Sequence, residues 1–172
     1  MRKLIETTLQ EQYKKYYRLA YSYAGNEADA LDIVQEGAYK AIRQWRKLKQ
    51  PEFVDTWIYK IMMYTALDMT RKRKRMAECE YGEEEPMYIG GITKERPSHE
   101  DEVIARNDMQ QLLDTLEDDE RAVVVLRYYE DMQWEEVAQI TGCNVNTVKS
   151  RLYRALKKLK SRAGEEEERR QA

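Results

Sequence analysis

"WEEVAQITGCNVNTVKSRLYRAL", from Trp134 to Leu156, is the stretch that decides the fold. Gly142 stands where the chain must leave one helix through the left-handed region, and Asn144 is a residue type that caps the next. Ala138 is small where the two helices approach, and Val148 and Leu152, four residues apart, turn one side of the second helix inward. Helices joined this way form a helix-turn-helix, whose second member is the one that enters a DNA major groove. Between Val145 and Arg162 that helix carries seven lysines and arginines and no acid. Asn146, Thr147, Lys149, Ser150 and Arg151 fall in its first two turns, within reach of base edges, while Arg154, Lys157 and Lys158 follow at positions suited to phosphates. Plainer readings fit some of these residues: Arg151 can pair with Glu135 or Glu136, and Lys157 to Lys160 can be a soluble helix end.

Outward from this stretch the pattern stays helical. The 172 residues contain only seven Gly and three Pro, with 42% hydrophobic and 36% charged content, which predicts an all-α protein. That length suits one ordinary domain or two small ones, and the chain divides itself. Residues 78–102, "ECEYGEEEPMYIGGITKERPSHEDE", gather half of the helix breakers, carry many acids and lack helical periodicity, so 77–102 reads as a flexible acidic linker. It separates a first domain, 1–76, from a second, 103–163, and a charged tail, 164–172, reads as frayed or disordered. The second domain is expected to hold four helices, over about 103–116, 118–129, 133–141 and 145–162. The net charge of −2 hides two basic surfaces, because "RKRKR" at 71–75 and the helix from Val145 are offset by acids elsewhere. No apolar run approaches the roughly 18 residues of a membrane span, and the N-terminus lacks a signal-peptide core, so a cytoplasmic protein without membrane insertion is expected. Cys79, Cys143 and the lone His99 assemble no metal site, no cofactor is implied, and both thiols are expected to be reduced and structural.

Three helices are predicted in the first domain. One spans about 5–24 and ends at Gly25-Asn26. The second spans about 27–46, with Ala30, Leu31, Val34, Ala38, Tyr39, Ala41, Ile42 and Trp45 as its apolar face. Asp29, Asp32 and Glu36, with Gln35 beside them, line one polar face of that helix, which suits either a plain solvated surface or a docking row. The third starts near Pro51 and runs to Arg75 on the core positions Trp57, Ile58, Ile61, Met62, Thr65, Ala66 and Met69. Off that stripe, Lys60, Met63, Tyr64, Leu67, Arg71 and Lys74 mix cations with aromatic or apolar groups, the combination that single-stranded nucleic acid requires. The basic run alone also fits a solvated helix end favoured by the helix dipole.

Taken together, "DALDIVQE", "TWIYKI", "TALDMTRKRKR", the acidic linker and "LEDDERAVVVLRYYEDMQWEEVAQITGCNVNTVKSRLYRAL" resemble a bacterial sigma factor of the extracytoplasmic-function group, over about 9–159. The resemblance implies two helical domains, sigma regions 2 and 4, and a role in promoter recognition and transcription initiation without enzymatic activity. It implies docking of Asp29, Asp32, Gln35 and Glu36 on the β′ clamp helices of core RNA polymerase, with the β flap as a further contact. It implies that the loop with Lys47 and Lys49, together with Lys60, Met63, Tyr64, Arg71, Lys72 and Lys74, opens and reads the minus-ten element, and that the helix from Val145 reads the minus-35 element. Met63-Tyr64 stand where the family often has Arg-Asn, Ala38 or Tyr39 where it has Phe, and Asn146-Thr147-Val148 where it has Gly-Thr-Val. Details such as "YRLAYSYAGNEADALDIVQ" look like the sigma-V-like members of Firmicutes, which implies a cell-envelope stress regulon and a membrane-bound anti-sigma factor.

Other classes fit less of the chain. A dimeric operator-binding regulator explains the second domain but leaves the acidic row and the aromatic-cationic helix without a task. An enzyme lacks a phosphate-binding glycine loop and a metal set. A protein-only helical adaptor predicts no salt-sensitive DNA affinity.

Overall fold

The computed structural model describes the backbone of residues 1–81 and 109–171, and the side chains of 1–76 and 109–164. The chain divides into two compact units, Met1–Lys94 and Glu95–Ala172. The described residues are helical, with no strand among them. From 82 to 102, the stretch read as a linker lies outside the described residues.

Unit 1 is built from α1 (Arg2–Glu11), α2 (Tyr13–Ala24), α3 (Glu27–Arg43) and α4 (Val54–Tyr81). The single first helix expected over 5–24 is two, divided at Gln12. No Gly or Pro marks the break. It lets α1 lie on α3 and α4 through Ile5 and Thr8 while α2 buries Tyr16, Leu19, Ala20 and Tyr23, and Gln12 is held by its side-chain amide donating to Asp55 Oδ1 at 2.7 Å. Gly25 closes α2 at φ 73°, and Asn26 caps α3 by accepting from the Asp29 N–H at 3.0 Å. α3 stops at Arg43, short of the expected 46, and continues as a 3-10 turn over Trp45–Lys47; a second turn, Pro51–Phe53, leads into α4.

Where α3 meets α4 the approach is close. A Cβ on Gly37 would sit 2.3 Å from Met62 Sδ, so the side-chain-free residue lets the fully buried Met62 pack there. Ile33, Ile58 and Ala66 are also buried in this unit, Tyr59 meets Tyr16 of α2 edge-on with ring centroids 5.1 Å apart, and each large aliphatic chain buried there contributes about 1.5–3 kcal/mol. Two expectations are corrected. Tyr39, assigned to the apolar face of α3, is 56% exposed, because it stands five positions from Val34 and falls outside the buried stripe of Ala30, Ile33, Val34, Gly37 and Ala41. Met63, assigned to the outer surface of α4, is 3% exposed, and Leu67 is likewise buried. α1, α2 and α3 all pack on α4, so its apolar face is wider than a stripe for one neighbour. α4 also runs to Tyr81, past the expected end at 75.

Unit 2 holds α5 (109–114), then α6 (Asp118–Val124), α7 (Trp134–Thr141) and α8 (Val145–Gln171); residues 103–108 of the helix expected over 103–116 lie outside the described residues. Reciprocal capping boxes start α6 (Glu117 with Glu120) and α7 (Gln133 with Glu136). The helix expected over 118–129 changes at Val125 into a π-turn over Val125–Tyr129, closed by the Glu130 N–H on the Val125 carbonyl at 3.2 Å. Burial pushes the pKa of the Tyr129 hydroxyl up. Leu113, Val123, Val125, Leu126, Val137, Ile140, Val148 and Ala155 form the core. α8 continues past the expected end at 162 to Gln171. Gly164 is the one weak helix former in "GEEEERRQ", and Glu, Arg and Gln propagate a helix well.

Candidate nucleic-acid interface

The turn between α7 and α8 is built as its residues dictate. Gly142 adopts φ 70°, and the Cys143 N–H returns to the Ala138 carbonyl at 3.0 Å, closing α7. Asn144 Oδ1 accepts from both the Thr147 N–H at 2.8 Å and the Thr147 hydroxyl at 3.0 Å, so Thr147 completes the cap. Val148, Leu152 and Ala155 then bury one side of α8.

The opposite side is set by the same periodicity. Asn146, Lys149, Ser150, Arg154 and Lys157 are exposed along it, and Tyr153 joins them at 73% exposure. Tyr153 was missed in the sequence. Its signal was position: it follows buried Leu152 by one residue and lies four from both Lys149 and Lys157, off the inward stripe. Ser150 Oγ donates to its own helix at the Asn146 carbonyl, 2.9 Å, and the Lys149 ammonium stands 5.6 Å from the Trp134 ring centroid.

Two of the expected DNA contacts are placed differently. Arg151 is not directed outward with Lys149 and Arg154: its Nη2 lies 2.6 Å from Asp119 Oδ2, its Nη1 donates to Cys143 Sγ at 2.9 Å, and its side chain is 19% exposed. The pairing considered for it, with Glu135 or Glu136, is not the one formed; Glu136 is occupied in the α7 capping box, where it accepts the Gln133 N–H at 2.8 Å. Lys158 Nζ donates to Glu120 Oε2 at 2.8 Å. Asp119 and Glu120, in the first turn of α6, were unremarked in the sequence because nothing local connects them to residues more than 30 positions away.

In unit 1, Lys60 and Tyr64 share an exposed line of α4, with Tyr64 at 44% exposure, and Arg71, Lys72 and Lys74 are exposed further along the helix. Met63 is not with them. Lys47 and Lys49 are exposed on the segment before α4, where Lys47 Nζ donates to Gln44 Oε1 at 2.9 Å. Phe53 was also missed: the chain's one Phe, it is 42% exposed in the turn after Pro51, and the Thr56 hydroxyl holds that turn by donating to the Phe53 carbonyl at 3.2 Å. On α3, Asp32 and Gln35 are exposed beside half-buried Glu36, which pairs with Lys40 at 3.5 Å. Asp29 is paired with Arg73 of α4. Tyr39 extends this face, with the Arg43 guanidinium 6.0 Å from its ring centroid. Among the described residues no group of acids, Cys or His could hold a metal ion, and no helix is long and apolar enough to cross a membrane.

Comparison with known proteins finds relatives for both units. Sigma-70 region 2 matches residues 9–76, and sigma-70 region 4 matches 106–159. RNA polymerase sigma factor SigV of Bacillus subtilis is 39% identical over 154 residues, spanning 90% of this chain and 87% of that protein. The ECF RNA polymerase sigma factor SigW of the same organism is 31% identical, spanning 85% and 81%. In fold, the chain is similar to sigma factor RpoE from Bartonella quintana, solved in complex with the anti-sigma factor NepR, with a TM-score of 0.69 at 23% identity over 91% of this chain and 94% of that one.

Proposed function

The chain belongs to the extracytoplasmic-function sigma factors of the sigma-70 family, and from that membership we propose how its parts divide promoter recognition. Members of this family are transcription-initiation factors and not enzymes. In the division proposed here, residues 1–76 bind core polymerase and open the minus-ten element, residues 103–163 bind the minus-35 element, 77–102 connect them, and 164–172 are a charged tail.

The observation that carries the minus-35 assignment is the outward face of α8. Asn146, Ser150 and Tyr153 offer hydrogen-bonding and apolar groups to base edges in the early turns, and Lys149, Arg154 and Lys157 neutralise phosphates on either side. Thr147 serves the cap. For the minus-ten element, Phe53 and Tyr64 supply exposed rings for unstacked bases, and Lys47, Lys49, Lys60, Arg71, Lys72 and Lys74 supply the backbone contacts. Met63 acts from the core by fixing α4. The core-polymerase contact is the α3 face of Asp32, Gln35 and Glu36, extended by Tyr39, with Asp29 contributing through its tie to Arg73. The β′ clamp helices meet this face and the β flap meets unit 2.

The family's working place is beside the polymerase in the cytoplasm. The likeness to SigV and SigW supports a cell-envelope stress regulon, and the fold shared with a sigma factor solved in an anti-sigma complex supports control by an anti-sigma factor, membrane-bound in this case. The deciding experiment is reconstitution. Added to purified bacterial core polymerase, the chain should direct initiation from a defined start; an operator-binding regulator or a protein-only adaptor would leave core polymerase without promoter-specific initiation.

A further inference from the structure

We propose that Arg151 is a positioning residue that fixes the rotation of α8 about its own axis, rather than a group that touches DNA. The inference rests on the reading of α8 as the minus-35 helix. Three segments of unit 2 meet at its guanidinium. Nη2 reaches Asp119 Oδ2 of α6 at 2.6 Å, Nη1 reaches Cys143 Sγ in the turn at 2.9 Å, and the side chain springs from α8 itself. A second tie runs parallel to the first. Lys158, seven residues further along α8, donates to Glu120 Oε2 at 2.8 Å, and Glu120 is 6% exposed in that side chain and also accepts the Glu117 N–H of its own capping box at 3.3 Å.

The two ties leave α8 on one flank, two turns apart, and end on consecutive residues of α6. Apolar contacts from Val148, Leu152 and Ala155 hold α8 against the unit, but burial is non-directional and resists rolling weakly. Hydrogen-bonded ion pairs add direction: each is modest in energy, but two of them at two heights favour one rotation of α8, because their donor–acceptor geometry is specific. Rolling matters here: at a side-chain radius of about 5–6 Å, a turn of about 20° carries a side-chain tip about 2 Å, enough to take Asn146 or Ser150 out of hydrogen-bond range of a base. The Arg151 side chain is 19% exposed and turned toward α6, whereas Lys149 and Arg154 are exposed on the outward face.

The two roles predict opposite signs for Asp119. Where Arg151 contacts DNA, Asp119 competes with DNA for it, and Asp119→Asn strengthens binding. Where Arg151 positions α8, Asp119→Asn weakens discrimination just as Arg151→Gln does. The full chain, bound to core polymerase, is presented with promoters randomised across the minus-35 hexamer, and the enriched sequence is then titrated against a scrambled one at several salt concentrations, with thermal unfolding of each variant followed in parallel. Expected for Asp119→Asn and for Arg151→Gln alike is a loss of discrimination of about tenfold, the scale of one base contact, with the salt slope unchanged. The charge-swapped double variant, Asp119→Arg with Arg151→Asp, rebuilds the tie in reverse and should recover discrimination, which a direct DNA contact replaced by a carboxylate does not allow; it also decides the matter where a single variant melts below assay temperature. Stronger binding by Asp119→Asn, a salt slope reduced by about one unit in Arg151→Gln, or a swap that folds without recovering discrimination overturns the positioning role. A wild-type holoenzyme that enriches no hexamer overturns the reading of α8 itself.

Discussion

Neutralising Lys149, Arg154 and Lys157 together, as Lys149→Gln, Arg154→Gln and Lys157→Gln, measures how much of the outward face of α8 lies along phosphates. Each phosphate contact contributes about 0.9 to the slope of log affinity against log salt, so three contacts contribute 0.9 × 3, about 2.7 units. At about 0.15 M salt each is worth roughly fivefold in affinity, hence roughly 150-fold for the three, about 3 kcal/mol. All three side chains are exposed on the same side of the helix, and Gln keeps helix propensity close to that of Lys and Arg, so stability should hold. The assay is fluorescence anisotropy of holoenzyme on a labelled minus-35 duplex across about 0.1–0.4 M salt, comparing variant with wild type so that contacts made elsewhere cancel. Removing Arg151 and Lys158, already bound to Asp119 and Glu120, should leave the slope alone, although a count of basic residues would add about 1.8 units for the pair. A triple variant whose slope stays within about one unit of wild type refutes the assignment: those cations then do not neutralise phosphates, and the face is not the one DNA meets.

Reversing charge at Asp32 and Glu36 should weaken the complex with core polymerase, the exposed Asp32 shifting unfolding by no more than about 0.5 kcal/mol and the half-buried Glu36, which also loses its pairing with Lys40, by somewhat more; unchanged affinity in a pull-down titration with core excludes the α3 face. Tyr153→Ala should lower affinity for the preferred minus-35 sequence without changing the salt slope, since the ring carries no charge, and a changed slope would mean that α8 has moved. Gly37→Ala presses a Cβ toward Met62 Sδ, so an overpacking cost of about 1–3 kcal/mol opposes a helix-propensity gain of about 1, whereas Gly164→Ala, with nothing within 4 Å, should show the gain alone. Equal stabilisation by both in thermal melts would mean that Met62 yields freely. Asn144→Ala removes the double acceptor that starts α8 and should cost about 1 kcal/mol in urea unfolding; no loss would mean that water caps the helix equally well.

Legibility followed the range of the interaction. Gly142 at φ 70° and Asn144 at the start of α8 were readable because the turn and the cap are decided within three residues. Val148 and Leu152 were readable because one helix needs only its own period to show its inward side. The break at Gln12 was not, because no residue there dislikes a helix and the cause is the packing of α1 and α2 against different partners. Met63 and Tyr39 were misassigned for related reasons: the breadth of a helix's buried face depends on how many neighbours cover it, and α4 carries three. Arg151 shows the limit most plainly. Local reasoning offered Glu135 and Glu136 as partners, but the first turn of α7 uses Glu136 for its own cap, and the residue that takes Arg151 lies 32 positions away.

The distribution of acids gives these placements a common sense. A chain with 30 basic and 32 acidic residues has no net attraction for DNA, so its affinity must come from where charges are left exposed. Within unit 2, Asp119 and Glu120 take up Arg151 and Lys158 on the α6 side of α8, while Lys149, Arg154 and Lys157 keep their charge toward solvent. Within unit 1, Asp29 takes up Arg73 and leaves Lys72 and Lys74 exposed. An ion pair of this kind adds little stability when half-exposed, on the order of 1 kcal/mol or less. Its larger effect is subtraction: it narrows a helix that is basic nearly all round to one basic side, and a helix with one basic side meets a groove in one orientation, where an evenly charged helix would bind in several. On the proposed reading of α8 as the minus-35 helix, specificity then depends on the cations that α6 withholds as well as on those α8 presents.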